Sequence, residues 1–290
     1  AGDHAPFGVV VVDEAAQATE PSTVVPLEFA RSRRCVLVGD DRQLPPTVFA
    51  ADCAFGARTL FERLRQRGHQ AALLDEQYRM APEISAFPCT YFYGGSLLDA
   101  RDRHRDSRRA LHAFVPPLQF VDVHGAPAQQ GAGGSWRNPD EAELCMAIAA
   151  CVQELARRCG EDHVAEDCAL LTPYRAQLEL LRSAGGPPAS TVDGFQGREA
   201  EVVVFSTVRA PELSRSSAGV GFLADERRLN VALTRAKSVL VVVGHARTLA
   251  GSPAWRAFLE HAQRMPGGYR RVRAGAGAAE ALGFAAAPPP

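Results

Sequence analysis

Apolar runs that are hydrophobic at consecutive positions recur along this chain, with helix-length stretches between them. A strand that shows one face to water alternates apolar with polar residues, whereas a strand buried on both faces does not. Runs such as Val9-Val10-Val11-Val12, Val202-Val203-Val204-Phe205 and Val239-Leu240-Val241-Val242-Val243 therefore predict a parallel sheet with helices on both sides, an α/β fold. The predicted strands are 7–12, 35–38, 71–74, 118–123, 168–171, 190–192, 202–208 and 239–243. The predicted helices are 22–31, 57–67, 82–93, 139–159, 176–183, 225–235 and 254–263. Asn138 followed by Pro139, Asp140 and Glu141 is good helix-start chemistry.

The chain of 290 residues has room for one large or two ordinary domains, and 46% hydrophobic content supports a real core. The break falls near 68–74, giving segments 1–70 and 71–265. Residues 266–290 end in an Ala/Gly/Pro run that predicts a disordered tail, and 125–135 and 211–219 predict loops. A net charge of −1 gives no overall attraction to nucleic acid, so such binding needs a local patch. The arginine cluster Arg101, Arg103, Arg105, Arg108 and Arg109 is offset by Asp102 and Asp106 and predicts a solvated face. The seven cysteines form no C-x-x-C pair, which argues against a zinc site or disulfide framework and for thiols in a reducing compartment. No apolar stretch reaches membrane-spanning length.

Polar motifs punctuate the strand ends. Asp13 and Glu14 close the first valine run: an Asp there can hold Mg²⁺ through water and a neighbouring Glu can deprotonate an attacking water, although an acidic helix start would look similar. In Gly39-Asp40-Asp41-Arg42-Gln43-Leu44-Pro45-Pro46, Gln43 is a fixed amide able to sense a γ-phosphate or that water, or simply a loop residue. Tyr78 in Glu76-Gln77-Tyr78-Arg79-Met80 offers a flat face for a base, and Arg79 a planar fork for phosphate. Thr172, in Thr172-Pro173-Tyr174-Arg175, suits either a nucleic-acid phosphate or ordinary capping. The run from Ser190 to Glu199 has glycines on either side of Phe195-Gln196 and a glutamate, Glu199, able to accept from ribose hydroxyls. Arg235, in the run from Arg227 to Lys237, can neutralise charge in phosphoryl transfer or favour a helix C-terminus. Lys237 is the only lysine, and nothing before it resembles the Gly-x-x-x-x-Gly-Lys-Ser/Thr phosphate loop.

DEAAQ, GDDRQLPP, EQYRM, TPYRAQ, STVDGFQGRE and RRLNVALTRAK occur in this order, and the set, with AFPCTYFYGGSL at 86–97, resembles superfamily 1 helicases of the up-frameshift and senataxin type over roughly residues 7–249. The resemblance implies two RecA-like lobes of the P-loop NTPase type, the first incomplete here, with ATP and Mg²⁺ in the cleft and single-stranded RNA or DNA across the top. It implies Asp13 as the Mg²⁺-associated acid, Glu14 as the base and Gln43 at the γ-phosphate. Tyr78 would stack on adenine, Arg79 would reach the γ-phosphate, and Gly197 and Glu199 would sit by the ribose and phosphates. Arg235 would be the arginine finger, and Thr172 and Thr191 would touch the nucleic-acid backbone.

The family's phosphate loop and its other first-lobe motifs lie upstream of DEAAQ, so the expectation is the C-terminal portion of an ATP-dependent 5′-to-3′ helicase that needs the missing part of its first lobe and does not hydrolyse ATP alone. A non-catalytic half-helicase that binds nucleic acid or protein is the alternative. The expected setting is intracellular, cytoplasmic or nuclear.

Overall fold

The first valine run and its neighbour build a small parallel pair. Strand β1 (Val10–Val12) lies beside β2 (Cys35–Leu37), with Val10 opposite Cys35, and helix α1 (Glu20–Ala30) makes the crossover. The Thr19 hydroxyl accepts from Ser22 N at the start of α1. Helix α2 (Leu60–Gln66) is N-capped by Thr59, whose hydroxyl accepts from Glu62 N at 3.0 Å. Arg63 on α2 pairs with Glu20, and its hydrogen bond holds the Glu20 carboxyl below its ordinary value. Apolar side chains stay uncovered within this part: Val11 is 64% and Phe29 74% exposed.

The computed structural model describes residues 7–30, 34–48, 58–101, 109–210 and 220–284. They fall into two compact units, Ala1–Leu74 and Asp75–Pro290. Arg103, Arg105, Arg108, Cys53 and the loop expected at 211–219 lie outside the described residues. The strand expected at 71–74 is absent: Leu73 and Leu74 are exposed and pair with nothing. The chain instead pairs one step later, β3 (Glu76–Gln77) lying parallel to β4 (Leu98–Asp99). Helix α3 (Pro82–Tyr93) connects them, started by Pro82 and ended by Gly94 in the left-handed conformation.

The second unit is built on a six-stranded parallel sheet. Its strands are β5 (Leu118–His124), β8 (Cys168–Thr172), β9 (Ala189–Thr191), β10 (Ala200–Ser206), β11 (Ala236–Gly244) and β12 (Tyr269–Arg273), in spatial order β12-β5-β11-β10-β8-β9. Alternation through each strand feeds two cores. Val121, Val123, Val202, Val204, Val239, Val241 and Val243 face the long helix α4 (Pro139–Arg158) and its neighbours. Phe120 and Phe205 point the other way, into an aromatic layer with Phe87 of α3 and with Trp255 and Phe258 of the helix Pro253–Arg264. That two-sided burial is why the runs are continuously apolar. The loop expected at 125–135 contains β6 (Gln129–Gln130), which pairs antiparallel with β7 (Trp136–Arg137) just beyond it.

The disordered tail expected at 266–290 is corrected by the structure through residue 284, and residues 285–290 lie outside the described residues. Strand β12 extends the sheet, with Tyr269 opposite Phe120, and the helix Ala278–Leu282 buries Ala281 and Leu282 in the valine-faced core. A run of small residues reads as low complexity, yet Val272 and Leu282 supply enough apolar surface to fix it. A buried acid anchors the same edge: Asp122 accepts from Tyr269 Oη at 2.6 Å, His124 Nε2 at 2.9 Å, Arg271 Nε at 3.2 Å and Ala246 N at 2.8 Å. Burial raises the Asp122 carboxyl, but these hydrogen bonds outweigh it and hold it below its ordinary value. Burial, with the bond to Asp122, pushes Tyr269 up to about 12.

A second buried acid organises the C-terminal end of β10. Glu141, in the first turn of α4, accepts from Ser206 Oγ and Val208 N, both at 2.7 Å. Gln177 donates to Ser206 Oγ at 2.9 Å and to Asn138 O at 3.1 Å, while Asn138 caps α4 through Glu141 N. This network holds Val208 at φ 70°, a left-handed conformation costly for a β-branched residue. Burial pushes the Glu141 carboxyl up to about 7.

Because its folded-state value exceeds its ordinary 4.5, Glu141 keeps a proton between pH 4.5 and about 7 that the unfolded chain has lost. Its contribution is therefore full below pH 4.5 and falls by about 3 kcal/mol as pH rises to 7. Glu141→Gln removes that slope; urea titrations in which the stability difference between variant and parent is the same at pH 4.5 and 7 would exclude the assignment. Leu282→Ala costs about 2 kcal/mol in the same assay, and a change below about 0.5 kcal/mol would mean the terminal helix contributes no core.

Candidate functional site

In the first unit the strand-end acids sit on a sharp turn. Asp13 follows β1 directly, and its Oδ1 accepts from Glu14 N at 2.9 Å. Glu14 has φ 51°, in the left-handed region that non-glycine residues seldom adopt, and its carboxylate accepts from Gln17 Nε2 at 2.6 Å. The turn is closed by Ala15 N donating to Val38 O at 2.8 Å and Gln17 N to Glu14 O at 2.8 Å. Gly39 is required by this packing: a Cβ there would lie 2.7 Å from Ala16 N and 3.1 Å from Ala15 N, both backbone atoms that cannot yield cheaply. The DEAAQ and GDDRQ runs thus meet through a glycine that admits one backbone against the other. Asp40 then takes Arg42 N and Gln43 Nε2, at 2.9 and 2.8 Å, which fixes the Gln43 amide at the same strand end.

Asp13 and Glu14 are both exposed. Among the described residues no three His, Cys, Asp or Glu side chains gather as a metal cage. One or two carboxylates at a strand end nevertheless fit Mg²⁺, which retains waters and takes its remaining oxygens from substrate phosphates.

In the second unit, three motif runs far apart in sequence meet at the N-terminal ends of β10 and β11. Arg79 Nε donates to Glu199 Oε2 at 2.6 Å, 120 positions away, and Arg79 Nη1 donates to Thr234 O at 3.2 Å. Lys237 Nζ lies 3.3 Å from Glu199 Oε1, so one carboxylate is shared by two cations. The hydrogen bond from Arg79, with the charge of Lys237 behind it, holds Glu199 below its ordinary value. The turn carrying Arg79 is fixed by Gln77, whose Oε1 accepts from Arg79 N and Met80 N and whose Nε2 donates to Asp99 at 2.6 Å. Ala81 N docks the turn on Lys237 O at 2.7 Å. Tyr78 is 65% exposed beside it, its hydroxyl donating to Glu76.

Arg235 is also part of this corner but is buried, at 2% exposure. Its Nε donates to Val231 O at 2.9 Å, Nη1 to Arg198 O at 3.3 Å and Nη2 to Thr234 Oγ1 at 2.9 Å. Thr234 therefore links the two arginines, its carbonyl holding Arg79 and its hydroxyl Arg235. Gly197 has φ 75° and is exposed on the same loop as Glu199. That loop is pinned by Arg228, which grips Asp193 through two nitrogens at 2.7 and 3.1 Å and stacks its guanidinium over Phe222.

The two threonines lie at the opposite, C-terminal ends of their strands. Thr172 is fully buried and its hydroxyl accepts from Tyr174 N at 3.4 Å, so it stands as a local cap and presents nothing to solvent. Thr191 is half-buried and its hydroxyl accepts from Gly194 N at 3.1 Å. Gln77, Thr234 and Lys237 belong to the site and were not singled out from the sequence. Their position inside the EQYRM and LTRAK runs was the available signal.

The family model AAA_12, described as an AAA domain, matches residues 57–247, and AAA_11, also described as an AAA domain, matches residues 2–51. The chain is 40% identical over 275 residues to the probable helicase MAGATAMA 3 of Arabidopsis thaliana, covering 89% of this chain and 32% of that protein. It is 38% identical over 273 residues to helicase SEN1 of Saccharomyces cerevisiae, covering 89% of this chain and 12% of that protein. To the ATP-dependent helicase NAM7 of the same yeast it is 35% identical over 276 residues, covering 88% and 27%. The chain thus spans about a third or less of the length of these relatives. With the ordered motifs and the α/β sheet already in place, these matches make the chain a member of the AAA_12 family, of the up-frameshift and senataxin type of superfamily 1 helicase.

Proposed function

We propose that this chain carries part of the ATP-hydrolysing machinery of a 5′-to-3′ helicase acting on single-stranded RNA or DNA. The observation that supports this best is the corner made by Arg79, Glu199, Thr234 and Arg235, where residues of separate motif runs converge on a few ångströms. A corner with two guanidiniums and an exposed aromatic ring matches the needs of a nucleoside triphosphate: stacking for the base, cations for the phosphates.

The residues then divide the work. Tyr78 stacks on the adenine and Glu199 and Gly197 sit by the ribose. Arg79, partly exposed and paired with Glu199, is the guanidinium at hand for the γ-phosphate. Arg235 acts from behind it as the finger, its cation held in place by carbonyl and hydroxyl oxygens until it moves toward the transferring phosphoryl group. In the first unit, Glu14 takes the proton of the attacking water and Gln43, steadied by Asp40, orients that water or the γ-phosphate. Asp13 would hold Mg²⁺, which when bound offsets phosphate charge. Thr191, and Thr172 once its cap opens, are assigned to the nucleic-acid backbone.

The chain carries no phosphate-cradling loop, and the valines and Phe29 exposed on the first unit favour a further segment covering them. We assign that role to an upstream part of the first lobe and place the protein inside the cell, in cytoplasm or nucleus.

The test is ATPase activity stimulated by single-stranded RNA or DNA, measured on the protein that joins this chain to a phosphate-loop segment. Glu14→Gln is expected to lower kcat by about 10²-fold or more while ATP binding persists. Unchanged turnover would remove Glu14 from the role of base. Residues 1–290 alone are expected to show no turnover, and family-like rates from them would overturn the division of labour. Binding of single strands without any ATPase from the joined protein would favour the non-catalytic module.

A further inference from the structure

The shared carboxylate at the edge of the second sheet carries a consequence for Lys237, given that Arg79 is directed at a phosphate. We propose that Lys237 is a positioning residue for nucleotide turnover: it keeps Glu199 partnered when Arg79 leaves that carboxylate for a nucleotide phosphate.

Arg79 and Lys237 approach opposite oxygens of Glu199, at 2.6 and 3.3 Å. A guanidinium that departs to a phosphate would otherwise strand the carboxylate beside two others, since Lys237 Nζ also lies 3.8 Å from Asp167 and 3.9 Å from Glu201. Glu201 is already engaged on its other side, by the Ser238 hydroxyl and by Arg109 at 3.5 Å, and Arg109 also meets Glu161 at 3.6 Å. Glu199 therefore has the greatest need of Lys237 once Arg79 moves. A lysine suits this duty: its compact ammonium has three donors on a flexible stem and can follow the carboxylate, where a planar guanidinium would hold one geometry. Its backbone is fixed, because Lys237 O receives Ala81 N from the turn that carries Arg79. Only the side chain is left to move. The same link ties the start of β11 to the Arg79 turn, so the donor and its stand-in keep a fixed spacing.

Lys237→Met keeps the volume and removes the charge. In the joined protein it is expected to raise the KM for ATP, and the dissociation constant of a non-hydrolysable ATP analogue, by roughly five-fold, with kcat changed less than about two-fold. Lys237→Arg, which keeps the charge but not the flexible ammonium, is expected to restore only part of the loss. In a Glu199→Gln background no carboxylate is left to strand, so adding Lys237→Met has no further effect. An equal effect in both backgrounds, or none in either, overturns the proposal; the first would make Lys237 a structural neutraliser of the acids.

A second readout needs no turnover. Lys237 is the only lysine of the 290-residue chain, so reductive ¹³C-methylation gives one lysine side-chain signal. Arg79→Ala should shift that signal in the parent chain and leave it in place in Glu199→Gln. A signal indifferent to Arg79 would refute the shared carboxylate itself. No ATPase from the joined protein, with the signal of residues 1–290 alone still responding to Arg79→Ala, would instead sink the functional reading above.

Discussion

Covering a parallel sheet on both faces leaves only its two ends for chemistry. The apolar positions of β10 and β11 are committed to packing, Val202, Val204, Val239, Val241 and Val243 in the α4 layer and Phe205 in the aromatic layer. Charged and hydrogen-bonding groups are thereby swept to the strand termini. At the N-terminal ends stand Asp167, Glu199, Glu201, Arg235 and Lys237; at the C-terminal ends stand Asp122, Thr172, Ser206 and His245. The fold sorts the polar residues before any ligand is considered. The common rule places ligands of open α/β sheets beyond the carboxyl ends of the strands. In this unit the EQYRM, QGRE and LTRAK residues gather at the other end, which follows from the turn after β3 docking on the first residues of β11.

Each end is stabilised by a different solution to the cost of charge. The C-terminal end buries acids and satisfies them with several donors each: Glu141 with a hydroxyl and a backbone amide, Asp122 with a phenol, a histidine, a backbone amide and the Arg271 guanidinium. Such groups rigidify, since losing any one partner strands a buried polar atom. The N-terminal end spreads its charges in partly exposed pairs, where water screens them and exchange of partners costs little. Under the proposed function, in which Arg79 exchanges its ion pair for a phosphate, the second arrangement is the better one. Arg235 is the exception, a buried guanidinium held by two carbonyls and a hydroxyl. Its tie through Thr234 to Arg79 makes the two arginines one mechanical unit.

The first unit shows the same economy on a smaller scale. Glu14 occupies a strained left-handed turn that is stabilised by backbone bonds to Val38 and Glu14 itself and by the missing side chain of Gly39. Strain of this kind persists where surrounding structure over-determines it, and it sets the direction of the carboxylates that follow β1. The functional consequence is orientation: Asp13, Glu14 and Gln43 leave adjacent strand ends with their side chains already tethered.

Much of this was legible in the sequence. Periodicity alone located β5, β8, β10, β11, α3 and α4 to within a few residues, because burial on both faces and the capping chemistry of Asn138 and Pro82 are local signals. Motif order announced the family. Periodicity failed at 71–74, where an apolar run found no strand to pair with, and at 269–282, where a bland composition hid Val272 and Leu282. Exposure was decided only by tertiary structure. Thr172 and Arg235 look like surface contacts in the sequence and are buried; Thr234 and Lys237 look incidental and hold the site together. The residue types fix which chemistry is possible, since a carboxylate or guanidinium carries its charge anywhere. Which of them meet, and which reach water, depends on contacts between positions more than a hundred residues apart, and no local pattern encodes those.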